Sequence, residues 1–292
     1  MASEPTVFRE LRSVLVESIF WDARTDELAW VDITAGTFHR GRLDAPVDGS
    51  ADRVVSLPAP LSAVQPAAGG GFVAALKDRV VALDQDGRIT ATLGTVRHAH
   101  DGIRFNEGKV DPFGRFIVGS MDVTESEPDA AVYAFVDGAE PELWLGGFGT
   151  TNGFEWSDTG DEMYLTDTAT KTVYRSDYGP GAFPFGELRP HLRGYTSDGL
   201  ARDSRGWFWN AVYGDGRVLR WNPDGSVAGS VAVAAPNVTS VGFGGPDLGA
   251  LFIGSARENL TEEQLEAAPL SGSIFRLDID VPGRPVGTFA AG

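Results

Sequence analysis

Short stretches rich in aromatic and β-branched residues recur along the 292-residue chain at an almost constant interval, and that period constrains the fold more than any other feature. They start at Leu28 (LAWVDI), Phe72 (FVAAL), Phe116 (FIVGSM), Met163 (MYLTDT), Trp207 (WFWNAV) and Leu251 (LFIGSA), separated by 44, 44, 47, 44 and 44 residues. In four units a second strand follows closely, at 36–40 (GTFHR), 173–176 (VYRS), 217–221 (RVLRW) and 273–277 (SIFRL). A small sheet cannot bury both of its faces alone. Sheets repeated every ~40–50 residues therefore pack face to face around an axis, as in a β-propeller. Six units predict an all-β chain, a six-bladed β-propeller with four-stranded blades, in which residues 1–292 form a single domain.

Turn chemistry separates the strands. Asp86-Gly87, Asp137-Gly138, Asp215-Gly216 and Asn222-Pro223-Asp224-Gly225 supply the positive φ angles that tight hairpins need. One segment reads as helix, residues 261–268 (TEEQLEAA), with Thr261 as N-cap and Gln264 at capping-box spacing. It is placed in a loop of the last blade. A circular array must join its first and last blades, so an N-terminal strand is expected to complete the final sheet and remove an open edge. The strand-like stretch ahead of the first repeat is 13–16, and the chain ends in VGTFA at 286–290. The Pro-rich stretch 57–66 reads as a crossing between blades.

The charge balance, 41 acidic against 24 basic residues, gives a net charge of −17 and argues against nucleic acid, whose phosphates need clustered Lys and Arg. With no cysteine, disulfides, thiolate nucleophiles and Cys-ligated metals are excluded. Only Lys77, Lys109 and Lys171 could form a Schiff base. The N-terminus shows no basic stretch followed by an apolar one, and no apolar run reaches the roughly 18 residues of a membrane-spanning helix. The reading is a cytoplasmic protein without a membrane partner, a monomer or small homo-oligomer.

Several familiar motifs fail on inspection. Asp84-Gln85-Asp86-Gly87 opens like a calcium loop, but Ile89 and Thr95 stand where Gly and Glu are required. There is no nucleophile elbow and no phosphate-binding glycine pattern. His98 and His100 could be two zinc ligands on one strand face, but the other histidines, His39 and His191, lie on blade edges. Gly69-Gly70-Gly71 is turn chemistry leading into a strand.

Four polar clusters remain. Glu17, Asn106 (with Arg104), Asn152 and Asp198 each lie some ten residues ahead of a repeat start. Taken singly, Asn-Gly and Asp-Gly merely turn a chain. At one phase of a closed repeat they form a ring whose polar groups face the axis. Two carboxylates and an amide oxygen make an all-oxygen set suited to a hard divalent cation, so a central metal site is expected.

The blocks RFNEGKVDPFGRFIVGSMD (104–122), TNGFEWSDTGDEMYLTDT (151–168), SDGLARDSRGWFWNAVYG (197–214) and APNVTSVGFGGPDLGALFIGSAR (235–257) resemble the SMP-30/gluconolactonase/regucalcin family, most closely its bacterial sugar lactonases. The resemblance covers essentially the whole chain. It implies a six-bladed propeller that binds one divalent cation (Ca2+, Zn2+, Mn2+, Mg2+ or Fe2+) and hydrolyses sugar-acid lactones such as glucono-, xylono- or arabinono-lactone. The family's metal ligands fall on Glu17, Asn152 and Asp198. Its substrate contacts fall on Arg104 and Asn106, with Asp122 near a further polar contact. Asp198 is the expected general base. Around Glu17 the family usually has Leu-Gly-Glu-Gly/Ser-Pro, whereas this chain reads Leu15-Val16-Glu17-Ser18-Ile19. Residues 123–130 and 179–185 are the expected substrate-selecting lids. The alternatives are a non-catalytic calcium- or protein-binding propeller of the regucalcin type, and an esterase or phosphotriesterase-like hydrolase using the same metal site.

Overall fold

The computed structural model describes residues 4–124, 127–181 and 185–291. Their strands form six four-stranded antiparallel sheets, and the fold is a six-bladed β-propeller. Blade 1 holds Val16–Asp22, Glu27–Asp32, Thr37–Gly41 and Arg53–Ser56; blade 2 holds Ala63–Pro66, Phe72–Ala75, Arg79–Leu83 and Ile89–Thr95. Blade 3 holds Ile103–Val110, Phe116–Asp122, Ala130–Phe135 and Glu142–Phe148; blade 4 holds Thr151–Trp156, Glu162–Asp167, Thr172–Asp177 and Arg189–Arg193. Blade 5 holds Ser197–Arg202, Phe208–Val212, Arg217–Trp221 and Val227–Ala232. Blade 6 takes Val238–Gly244, Ala250–Ser255 and Ile274–Asp278 from the end of the chain and Thr6–Arg9 from its beginning.

The expected closure is present, but the closing strand is not the stretch 13–16. Thr6–Arg9 pairs antiparallel with Ile274–Asp278, while Leu15 makes an isolated bridge to Ala256 and Val16 already opens blade 1. The reason lies in the charges. Arg9 and Asp52 are buried together, with side chains 1% and 2% exposed, and the guanidinium grips the carboxylate through Nε at 2.9 Å and Nη2 at 2.9 Å. Nη2 also donates to the carbonyl of Arg42 at 2.8 Å, so the closing strand is tied to blade 1.

Two compact units carry three blades each. Met1–Ser56 with Asp198–Pro285 hold blades 1, 5 and 6, and Leu57–Ser197 with Val286–Gly292 hold blades 2, 3 and 4. In the first, Trp209, Val218, Phe243, Leu251 and Phe275 fill the space between blades 5 and 6. Phe8, Trp21, Trp30 and Phe252 do the same between blades 6 and 1. In the second, Phe105, Phe116, Val118 and Phe135 pack with Val73 and Val80, and Phe289 near the chain end is inserted beside them. Each β-strand presents alternate residues to its two faces, and because both faces of a blade are covered the inner strands read as nearly continuous apolar runs. The helix is Glu262–Ala267, with the capping box in place: Gln264 N–H donates to Thr261 Oγ1 at 3.3 Å and Thr261 N–H to Gln264 Oε1 at 2.8 Å. No helix among the described residues is long and apolar enough to cross a membrane.

Candidate functional site

A single irregularity recurs where the polar residues lie. On the innermost strands of blades 1, 3, 4 and 6 the register slips by one residue, between Glu17 and Phe20, Phe105 and Gly108, Asn152 and Phe154, and Val238 and Val241. Each slip is a β-bulge, which leaves a residue unpaired and re-aims the side chains around it. Glu17, Asn106 and Asn152 therefore sit at or inside bulges, and so do Thr239 and Ser240. Sequence phase alone could not show this device.

In the first unit, Glu17 and Asp198 are each the second residue of an innermost strand, and each is 6% exposed. Ser18, in the Glu17 bulge, has φ of +52°, the left-handed region where the family pattern places Gly or Ser. The segment Thr239–Ser240 lies against both strands that carry these acids. Thr239 Oγ1 donates to the carbonyl of Val16 at 2.5 Å, and Ile19 N–H donates to Ser240 Oγ at 3.3 Å. On its other side lies Gly199, where a Cβ would come within 2.8 Å of the Thr239 carbonyl oxygen and 2.9 Å of Ser240 Cα. Asp198-Gly199 and Asn152-Gly153 are thus not turns. They lie within strands, and Gly199 is required by close backbone approach.

In the second unit, three of the predicted residues form one hydrogen-bonded row. Arg104 Nη1 donates to Asn106 Oδ1 at 2.7 Å and to its neighbour's carbonyl, Phe105 O, at 2.9 Å. Asn106 Nδ2 donates to Thr151 O at 3.0 Å and to Asn152 Oδ1 at 2.8 Å. Asn152 Nδ2 donates to Thr168 Oγ1 at 2.9 Å, and Thr168 Oγ1 donates to Ser197 O at 2.5 Å. Both amide hydrogens of Asn106 are committed, so it can meet a ligand only as an acceptor through Oδ1. Asn152 Oδ1 accepts one hydrogen and keeps a second lone pair, which suits a cation ligand. The buried carboxylates Glu17 and Asp198 suit one as well, since a buried charge calls for a counter-charge or donors. Taken one by one, these are oxygen donors of the kind a hard divalent cation takes.

Asp122 is fully buried at the end of Phe116–Asp122, opposite Ile103 in register. Its carboxylate accepts from Thr124 N–H and Oγ1–H, both at 2.9 Å. With His100 and Asp129 it forms a group whose ligand atoms lie within 4.8 Å of one another and could hold a metal ion. Two of the three are already paired, His100 Nε2 lying 3.0 Å from Asp129 Oδ2, and His100 Nδ1 accepts from Gly102 N–H at 3.0 Å. An imidazole that accepts at Nδ1 carries its proton on Nε2, so the group is a clasp between residues 100–102 and the loop before blade 3's third strand. His98 faces elsewhere, against Phe105 and Tyr133, with Nε2 3.1 Å from Lys77 O; the two histidines do not share a strand face. Of the expected lid loops, residues 125–126 and 182–184 lie outside the described residues.

The profile of the SMP-30/Gluconolactonase/LRE-like region matches residues 15–257. The chain belongs to this family. It is 36% identical over 277 residues to the 6-deoxy-6-sulfogluconolactonase of Pseudomonas putida, covering 93% of each chain. It is 28% identical over 286 residues to regucalcin of Oryctolagus cuniculus, covering 94% of each. Among solved structures, a calcium-binding regucalcin of Agrobacterium tumefaciens superposes with a TM-score of 0.90 at 24% identity, over 99% of this chain and 97% of that one.

Two contributors went unread in the sequence. Ser240 falls at the same repeat phase as the acids, which was a usable signal. Thr168 closes one of the family-like blocks, but nothing in its spacing announces which way its hydroxyl points.

Proposed function

We propose that the chain is a metal-dependent sugar lactonase that opens aldonolactones to the free acids, with Glu17, Asn152 and Asp198 holding one divalent cation. The observation that carries this is the 36% identity to a 6-deoxy-6-sulfogluconolactonase along 93% of both chains. A cation held there supplies Lewis acidity toward the lactone carbonyl. Asp198 takes a proton from the attacking water and returns it to the ring oxygen as the ester bond breaks. The Arg104 guanidinium, docked on Asn106 Oδ1, offers donors to the oxyanion. Asn106 Oδ1 accepts from a sugar hydroxyl, a contact its committed amide hydrogens leave as its only polar option.

The test is a pH-indicator assay of chelator-stripped and cation-reloaded protein against glucono-, xylono- and arabinono-lactone. 6-Deoxy-6-sulfogluconolactone joins the panel because a relative is named for it. Cation-dependent opening well above the spontaneous rate is expected for at least one. A loaded protein that accelerates none of them favours the second reading, a calcium-binding propeller without catalysis, which the regucalcin relatives support.

A further inference from the structure

Asparagine is an ambiguous ligand: turned by 180° it presents NH2, which no cation accepts. We propose that Thr168 is the positioning residue that holds Asn152 with its amide oxygen, not its nitrogen, available to the cation; this rests on the ligand role of Asn152 set out above. Thr168 has one hydroxyl proton. Its Oγ1 lies 2.5 Å from Ser197 O, a carbonyl that can only accept, so the proton goes there. Toward Asn152, 2.9 Å away, the hydroxyl can then only accept, and the nitrogen of the Asn152 amide must face it. The oxygen is left on the opposite side, 2.8 Å from Asn106 Nδ2.

The other end of the row enforces the same polarity. Arg104 has only donors, so at 2.7 Å it fixes Asn106 with Oδ1 toward the guanidinium and Nδ2 toward Asn152. Thr151 O, 3.0 Å from Asn106 Nδ2, can only accept and agrees. The row Arg104, Asn106, Asn152, Thr168, Ser197 O thus runs in one direction, from a pure donor to a pure acceptor. At 9% and 5% exposure the two amides have little water to substitute for a lost partner. Deleting the Thr168 hydroxyl leaves one amide hydrogen of Asn152 buried without its acceptor and lets the flipped amide compete.

The experiment is calorimetric titration of Ca2+ and Mn2+ into chelator-stripped wild type, Thr168→Val and Thr168→Ser, with melting temperature read alongside. Thr168→Val keeps the shape and removes the hydroxyl, and its cation Kd should rise about tenfold or more, as expected when an orienting partner of a ligand is lost. Thr168→Ser keeps the hydroxyl and should bind within about twofold of wild type. The cycle with Asn152→Asp adds an arm that does not depend on one variant's folding. A carboxylate presents oxygen either way, so in that background Thr168→Val or Thr168→Ala should not weaken binding. Equal Kd values for wild type and Thr168→Val, or the same loss in the Asn152→Asp background, would overturn the proposal. A melting temperature lowered with Kd unchanged gives Thr168 a structural role only and overturns it too. If wild type itself binds neither cation, it is the metal reading of the site that fails, which the wild-type titration reports separately.

Discussion

The guanidinium of Arg104 rests on the amide oxygen of Asn106, two residues along the same strand, at 2.7 Å. Asn106 lies inside the bulge between Phe105 and Gly108, where regular alternation of faces is broken, and the hydrogen bond itself holds the two side chains together. The planar fork of Arg104 reaches both Asn106 Oδ1 and Phe105 O from one nitrogen, which leaves its plane fixed relative to the site.

Arg104→Lys therefore keeps the charge but not the fixed plane. Its kcat/KM on the best lactone is expected to fall by about one to two orders of magnitude, with melting temperature and cation Kd close to wild type. Steady-state kinetics beside a thermal melt checks this. Unchanged kinetics would remove Arg104 from the site.

Asp198→Ala deletes a proposed ligand and the proposed base together, and hydrolysis should drop to the spontaneous rate. Glu17→Gln preserves shape and lowers ligand charge, so cation Kd should rise about tenfold and excess cation should restore part of the activity. A Glu17→Gln variant that binds cation like wild type would exclude Glu17 as a ligand.

Glu107 gives the fold a pH dependence. Burial pushes its carboxyl up to about 7, the Glu155 charge adds to that, and Lys109 with the Gly108 N–H opposes it. A carboxyl raised in the folded state binds more protons than the unfolded chain across the interval between the two pKa values. Its contribution is full below the unfolded value of 4.5 and is lost as pH rises to about 7. Denaturant titrations at pH 5 and pH 8 should show Glu107→Gln removing a loss on the order of 1–3 kcal/mol that wild type suffers between them. Equal pH dependence in both proteins would contradict it.

Closure of blade 6 depends on Arg9 and Asp52, both nearly inaccessible to water. Asp52→Ala leaves a buried guanidinium without its carboxylate and is expected to destabilise by about 3–5 kcal/mol. The double variant Arg9→Met with Asp52→Leu should recover much of that, because no unpaired charge remains. Chemical denaturation of the three proteins decides it.

Ser18 occupies the left-handed region at φ +52°. A β-branched residue there is strongly disfavoured, so Ser18→Val should destabilise by about 1–3 kcal/mol and weaken cation binding through the Glu17 bulge, while Ser18→Gly should be tolerated. Wild-type stability and cation Kd in Ser18→Val would show that the bulge does not depend on this residue.

The sequence determined the six blades, because a blade's strands are read from local alternation and the 44-residue interval repeats it. It also determined the capped helix, since Thr261 and Gln264 bond within one turn. The phase of Glu17, Asn106, Asn152 and Asp198 followed from the repeat for the same reason. Which segment closes blade 6 was decided by pairing across some 270 residues and by a buried ion pair, neither of which leaves a local mark at Thr6–Arg9. The Asp-Gly and Asn-Gly pairs look like turns to any local reading. Only the backbone of Thr239–Ser240 lying against Gly199 shows why glycine is needed inside a strand. The polarity of the row from Arg104 to Ser197 is likewise invisible in the chain. It depends on which atoms can only donate and which can only accept once five separated residues have been brought into contact, and that is decided by tertiary structure alone.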